Sequence, residues 1–123
     1  MATWTTLTAA DGYALATWRA VPRGPRRGGL LVLQEIFGVN DHMRAVADGF
    51  AVEGWEALAP ALFDRARRDV QMGYEAADVA EGRDLRAAVP LEKVVADMEA
   101  AIADLAPRGP VAAVGYCWGG SLA

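Results

Sequence analysis

Apolar and polar positions along this chain follow two distinct rhythms. "LLVLQE" (residues 30–35) is a continuous apolar run that ends in polar residues. Such a run suits a strand covered on both faces, as in a parallel sheet. "WEALAP" (55–60) and "VAAVGY" (111–116) are runs of the same kind and predict two more buried strands. Between them the rhythm becomes helical. "NDHMRAVADGFAVEG" (40–54) places Met43, Val46, Ala47 and Phe50 on one face. Asn40 can cap this helix, Asp41 suits its positive end and Gly54 can close it. "LEKVVADMEAAIADLA" (91–106) predicts a stronger helix with a buried stripe of Val95, Met98, Ile102 and Leu105. "YEAADVAEGRDLRAAV" (74–89) is also helical, weakened by Gly82.

The N-terminal stretch "TWTTLTAADGYALATWRAV" (3–21) reads as a hairpin, because Asp11-Gly12 accepts the positive φ angles of a tight turn. "PRGPRRGG" (22–29) is a loop. After the hairpin the order is β-α-β-α-α-β, then the first turn of another helix. That alternation implies an α/β fold with a mostly parallel sheet and right-handed crossovers. No repeat, low-complexity stretch or second domain interrupts it, so residues 1–123 form one domain.

Composition narrows the function classes. The chain is 54% hydrophobic and 23% charged, as soluble globular proteins are. Its net charge of -4 offers no basic face for nucleic acid. "RARRD" (65–69) is short and broken by Asp69, and predicts a solvated loop. The N-terminus lacks a basic segment followed by an apolar one, and no run approaches the roughly 20 apolar residues that cross a bilayer. A cytoplasmic protein without a membrane partner is expected. The single cysteine excludes an internal disulfide, fits a reducing compartment and leaves a thiol to explain.

That thiol sits in Gly115-Tyr116-Cys117-Trp118-Gly119, the pattern G-x-nucleophile-x-G. Between a strand and a helix this pattern forms a nucleophile elbow. The turn is so tight that side chains two residues before and after the nucleophile would collide, and the central residue takes a strained backbone. Dinucleotide, phosphate-loop and C-x-x-C motifs are absent, and so is a metal-ligand cluster. No metal or organic cofactor is expected. From this short pattern alone, a buried structural cysteine in a glycine turn remains open.

"GYCWGG" (115–120) resembles the nucleophile motif of the dienelactone hydrolase family, an α/β-hydrolase branch that uses cysteine. "LLVLQEIFGVNDHMR" (30–44) resembles its other signature and "GWEALAPALF" (54–63) the strand after it. Ala61 departs from the acidic residue that many relatives carry there. The resemblance covers the N-terminal part of the fold, up to just past the elbow, so a truncated α/β-hydrolase is expected. It implies an ester or lactone substrate and a Cys117 thioester. Glu35 matches the glutamate that pairs with the resting thiol and moves when substrate binds. The backbone N–H groups of Ile36 and Trp118 match the oxyanion donors, and Phe37 would line the pocket. Arg83 and Arg86 could face an anionic substrate, although surface arginines are usually only solvated.

His42, the only histidine, stands in the first turn of a helix. In this architecture the acid and the histidine follow the nucleophile in the chain, so His42 is not expected to be the base and the Asp and His of the triad are missing. An open sheet of this kind would take a complementing C-terminal chain or associate with itself. A truncated gene product, half of a split gene and an incomplete sequence all fit. The rival readings are a non-catalytic thiol-sensing or binding module that kept the elbow, and a fragment without function.

Overall fold

The chain turns at Asp11-Gly12, but through a loop, Ala9–Tyr13, longer than a tight hairpin turn, in which Gly12 takes φ 89° and Asp11 takes no positive φ. The structure, a computed structural model describing residues 1–123, pairs β1 (Ala2–Thr8) antiparallel to β2 (Ala14–Ala20). Trp4 stands opposite Trp18, their rings 5.4 Å apart and edge to face. β2 continues antiparallel onto β4 (Trp55–Pro60). β3 (Gly28–Leu33) runs parallel to β4 on one side and to β5 (Val111–Gly115) on the other, giving the order β1-β2-β4-β3-β5. The helices are α1 (Asp41–Val52), α2 (Ala76–Ala88), α3 (Leu91–Leu105) and the short α4 (Trp118–Leu122). No helix is long and apolar enough to cross a membrane.

The apolar run of β3 has a direct physical cause. Leu31 and Leu33 point into a core with Leu58, Phe63, Leu85 of α2, and Val94, Ala101 and Leu105 of α3. Leu30 and Val32 point the other way, into a core with Met43, Ala47 and Ala51 of α1. Both faces are covered, so no position can be polar. Asn40 caps α1 as expected, its Oδ1 accepting the Met43 N–H at 3.1 Å.

Four other expectations are corrected. The buried stripe of α3 is Val94, Asp97, Ala101 and Leu105; Val95 and Met98 are half-buried and Ile102 is 40% exposed. The helix turns its Asp97 inward because Arg65 meets it there, at 2.8 Å. That same contact corrects the solvated reading of "RARRD" at Arg65 alone, since Ala66, Arg67, Arg68 and Asp69 are exposed. The Arg65 guanidinium is only 11% exposed and also bonds Asp11, while its plane covers the Tyr13 ring at 4.5 Å. Gly82 is no mere weakness: a Cβ there would lie 2.3 Å from the Ile36 carbonyl oxygen, so the glycine lets α2 lie directly on that backbone. Finally, β5 is not a buried strand. Ala112 and Ala113 are exposed, because β5 is the edge strand and has only β3 beside it.

The outer edge of β5, "VAAVG", carries no charge and no proline to discourage pairing. The chain is therefore expected to self-associate. Size-exclusion chromatography over a dilution series should show larger species growing with concentration. A single monomer at every concentration, with a sharp thermal transition, would contradict this.

Candidate active site at the Cys117 turn

The chain leaves β5 at Gly115 and enters α4 at Trp118, and Cys117 makes the turn with φ 56° and ψ -117°. A non-glycine residue at positive φ is strained and persists only where its surroundings force it. Two glycines show the forcing. A Cβ on Gly115 would lie 2.0 Å from the Gly119 carbonyl oxygen, and one on Gly119 would lie 2.2 Å from that of Leu33. The first turn of α4 thus lies against the end of β3. Tyr116 N–H reaches the Leu33 carbonyl at 3.3 Å, and the Trp118 ring stacks on Phe63 at 5.3 Å. Cys117 itself is exposed.

The second arm of the site follows β3. Gln34 is fully buried: its Oε1 accepts the Leu62 N–H at 3.0 Å and its Nε2 donates to the Glu35 carbonyl at 3.1 Å. It ties the chain after β4 to the chain after β3. Sequence reading missed this role, although a glutamine closing an apolar strand hinted at it. Ile36 buries its side chain in the α2–α3 core, and its N–H donates to no acceptor in the chain. Trp118 N–H is the first amide of α4, one of those that no carbonyl within the helix can reach. Gly38, at φ 81°, pairs with Gln71 and lays residues 70–74 along residues 37–40.

That segment brings in a residue that no motif marks. Tyr74 Oη donates to Glu35 Oε1 at 3.2 Å and accepts from Asn40 Nδ2 at 3.2 Å. Its ring meets Phe37 edge-on at 4.6 Å. Partial desolvation of the hydroxyl, opposed by the Asn40 hydrogen bond and backed by the Glu35 charge, moves the Tyr74 phenol above its ordinary value although the residue as a whole is half exposed. The hydroxyl therefore stays a donor through the neutral range. The expected pairing of Glu35 with the thiol is not seen; Tyr74 holds the carboxylate instead.

His42 is exposed and 6.5 Å from the Tyr74 ring. It lines a cavity of about 400 Å³ together with Asn40, Asp41, Gln71 and Tyr74, and makes no hydrogen bond to Cys117. A cavity of about 660 Å³, between Met1, Val21, Arg27 and Val52, lies where β3 and β4 begin, at the opposite end of the sheet. Arg83 and Arg86 are exposed on α2 and form no ion pair. No cluster of three metal-ligating side chains comes together.

Known proteins resemble this chain in sequence and in fold. A Synechocystis sp. protein provisionally named a carboxymethylenebutenolidase is 36% identical over 97 residues, 74% of this chain and 39% of its own length. A carboxymethylenebutenolidase of Pseudomonas sp. strain P51 is 37% identical over 110 residues, 82% of this chain and 43% of that protein. The crystal structure of a provisionally named dienelactone hydrolase from Klebsiella pneumoniae superposes with a TM-score of 0.79 at 28% identity, over 97% of this chain and 50% of the other. The chain thus spans about two fifths of the length of these curated relatives. The profile of the dienelactone hydrolase family matches residues 15–123, and this chain, with its α/β-hydrolase fold, belongs to that family.

Proposed function

We propose that this chain carries the nucleophile of an ester or lactone hydrolase that works through a thioester on Cys117. The observation that carries the reading is the Cys117 turn: a non-glycine at φ 56°, held by two glycines that no side chain could replace. In the proposed reaction the Cys117 thiolate attacks the carbonyl carbon of a small-molecule substrate. The oxygen becomes an oxyanion and accepts from Ile36 N–H and Trp118 N–H. The C–O bond breaks, the alcohol leaves with a proton, and the acyl group stays on sulfur. Water then cleaves the thioester and returns the proton to the thiol. Phe37, half-buried beside Tyr74, lines the acyl pocket.

Both proton transfers need a base. His42 stands on α1, against Tyr74 rather than Cys117. The Asp and His of the triad are proposed to lie outside these residues, on a segment that adds to the free edge of β5. No metal or organic cofactor enters the scheme.

With p-nitrophenyl acetate the chain alone should give at most one equivalent of p-nitrophenolate and then stop, since residual attack survives loss of a triad member. Cys117→Ala should give none. Adding the C-terminal part of a relative, with its Asp and His, should restore steady turnover. Sustained turnover by the lone chain, lost in both Cys117→Ala and His42→Ala, would make His42 the base and overturn the scheme. Reversible oxidation of Cys117 with no acylation would favour a thiol sensor.

A further inference from the structure

We infer that Tyr74 is the positioning residue for Glu35: it holds the carboxylate away from the Cys117 thiol and so keeps that thiol easier to ionise. This rests on the reading that Glu35 and Cys117 act together. Backbone placement makes communication between them short. Gly119 packs against the Leu33 and Gln34 carbonyls, and Glu35 is the next residue. A carboxylate free to turn toward the sulfur would accept the S–H hydrogen bond and repel a thiolate. Both effects keep the proton on sulfur.

Tyr74 is built to prevent that turn. Asn40 is itself fixed by three contacts: its Oδ1 accepts from Met43 N–H, and its Nδ2 donates to the Met72 carbonyl and to Tyr74 Oη. With one lone pair of Oη engaged by Asn40, the phenolic proton points to Glu35 Oε1. Phe37 packs edge-on against the same ring at 4.6 Å.

The surrounding charges do not supply an alternative hold. From α1, His42 and Asp41 line the cavity on the Tyr74 side, and Arg44 is taken by Asp41, Gln71 and the Val39 carbonyl. From α2, Asp78 accepts from Glu75 N–H, while Arg83 and Arg86 face solvent. Beside Cys117, the residues Tyr116, Trp118 and Ser121 bring neither a carboxylate nor a cation.

The test is iodoacetamide alkylation against pH on the full chain, where the single cysteine makes the signal that of Cys117 alone. Tyr74 is 54% exposed and phenylalanine keeps its ring, so Tyr74→Phe tests the hydroxyl and not the fold. That variant should alkylate about threefold more slowly at neutral pH, its profile moved upward by about half a pH unit. Glu35→Gln should alkylate faster than the parent, and the double variant should match Glu35→Gln. An unchanged profile in Glu35→Gln would sink the Cys117–Glu35 reading itself. A faster Glu35→Gln with an unchanged or faster Tyr74→Phe would leave that reading standing and overturn the role of Tyr74.

Discussion

Gly119→Ala should disrupt the Cys117 turn and cost at least about 3 kcal/mol of stability, the upper range for forcing atoms into a packed site. The new methyl carbon would lie 2.2 Å from the Leu33 carbonyl oxygen, 2.6 Å from the Leu33 carbonyl carbon and 2.7 Å from the Gln34 carbonyl oxygen. All three atoms are backbone; Leu33 is paired with Gly115 of β5 and the Gln34 side chain is tied to the Leu62 N–H, so none can swing away. Relief requires α4 to lift off β3. Trp118 would then leave Phe63, and Cys117 would lose the packing that holds it at positive φ. The pH profile of its alkylation should become that of the unfolded chain. Gly120→Ala, one residue on, is the comparison: its nearest atom, the Gly115 carbonyl oxygen, would be 3.3 Å away, a contact that a few tenths of an ångström relieve, so its loss should be well below that of Gly119→Ala. Denaturant unfolding and iodoacetamide rates on the two variants decide the matter. If Gly119→Ala melts and reacts like the parent, α4 does not lie against β3 as described.

Much of this architecture was legible because local pattern and tertiary role coincide. The run Leu30–Leu33 is apolar throughout because both faces of β3 are covered. Asn40 caps the helix it precedes. The glycines around Cys117 appear at the spacing that the turn demands, and the structure supplies their clashes. What could not be read depends on partners far away in the chain. α3 looks as though it should bury Val95, Met98 and Ile102. It instead buries Asp97, because an arginine 32 residues earlier reaches it. Gly82 looks like a flaw in a helix until the Ile36 carbonyl is found against it. Tyr74 lies 39 residues from Glu35, and no local rhythm links the two. β5 has the composition of a covered strand but occupies an edge.

The Arg65 contact that misled the reading of α3 also carries the other large expected effect. Arg65→Ala should destabilise the chain by about 3 kcal/mol, because breaking a buried ion pair leaves an uncompensated charge. Asp97 is completely buried, and Arg65 supplies all of its side-chain hydrogen bonds, from Nε to both carboxylate oxygens and from Nη2 to one. The nearby cation on the helix of Asp97, Lys93, is bonded to Asp11. Arg65→Ala combined with Asp97→Leu should recover most of the loss, since an apolar pair needs no counter-charge. The acid limb of the stability curve offers a second readout. Hydrogen bonds from Arg65, then from Lys93, then from the Tyr13 N–H hold the Asp11 carboxyl far below its ordinary 3.8. A carboxyl depressed in the folded state stabilises above its unfolded pKa, and that contribution fades as pH falls toward the folded value. Removing Arg65 takes away the largest of these causes, so the variant should lose less stability than the parent between neutral pH and about pH 3. Urea unfolding at both pH values measures each effect. A variant within about 0.5 kcal/mol of the parent at neutral pH would mean that Asp97 is not buried as described. The consequence reaches the candidate site. Arg65 anchors the stretch after β4, and the same stretch continues through Met72 and Tyr74 to the Glu35 carboxylate. Arg65→Ala should therefore shift the Cys117 alkylation profile in the same direction as Tyr74→Phe, although it touches neither residue.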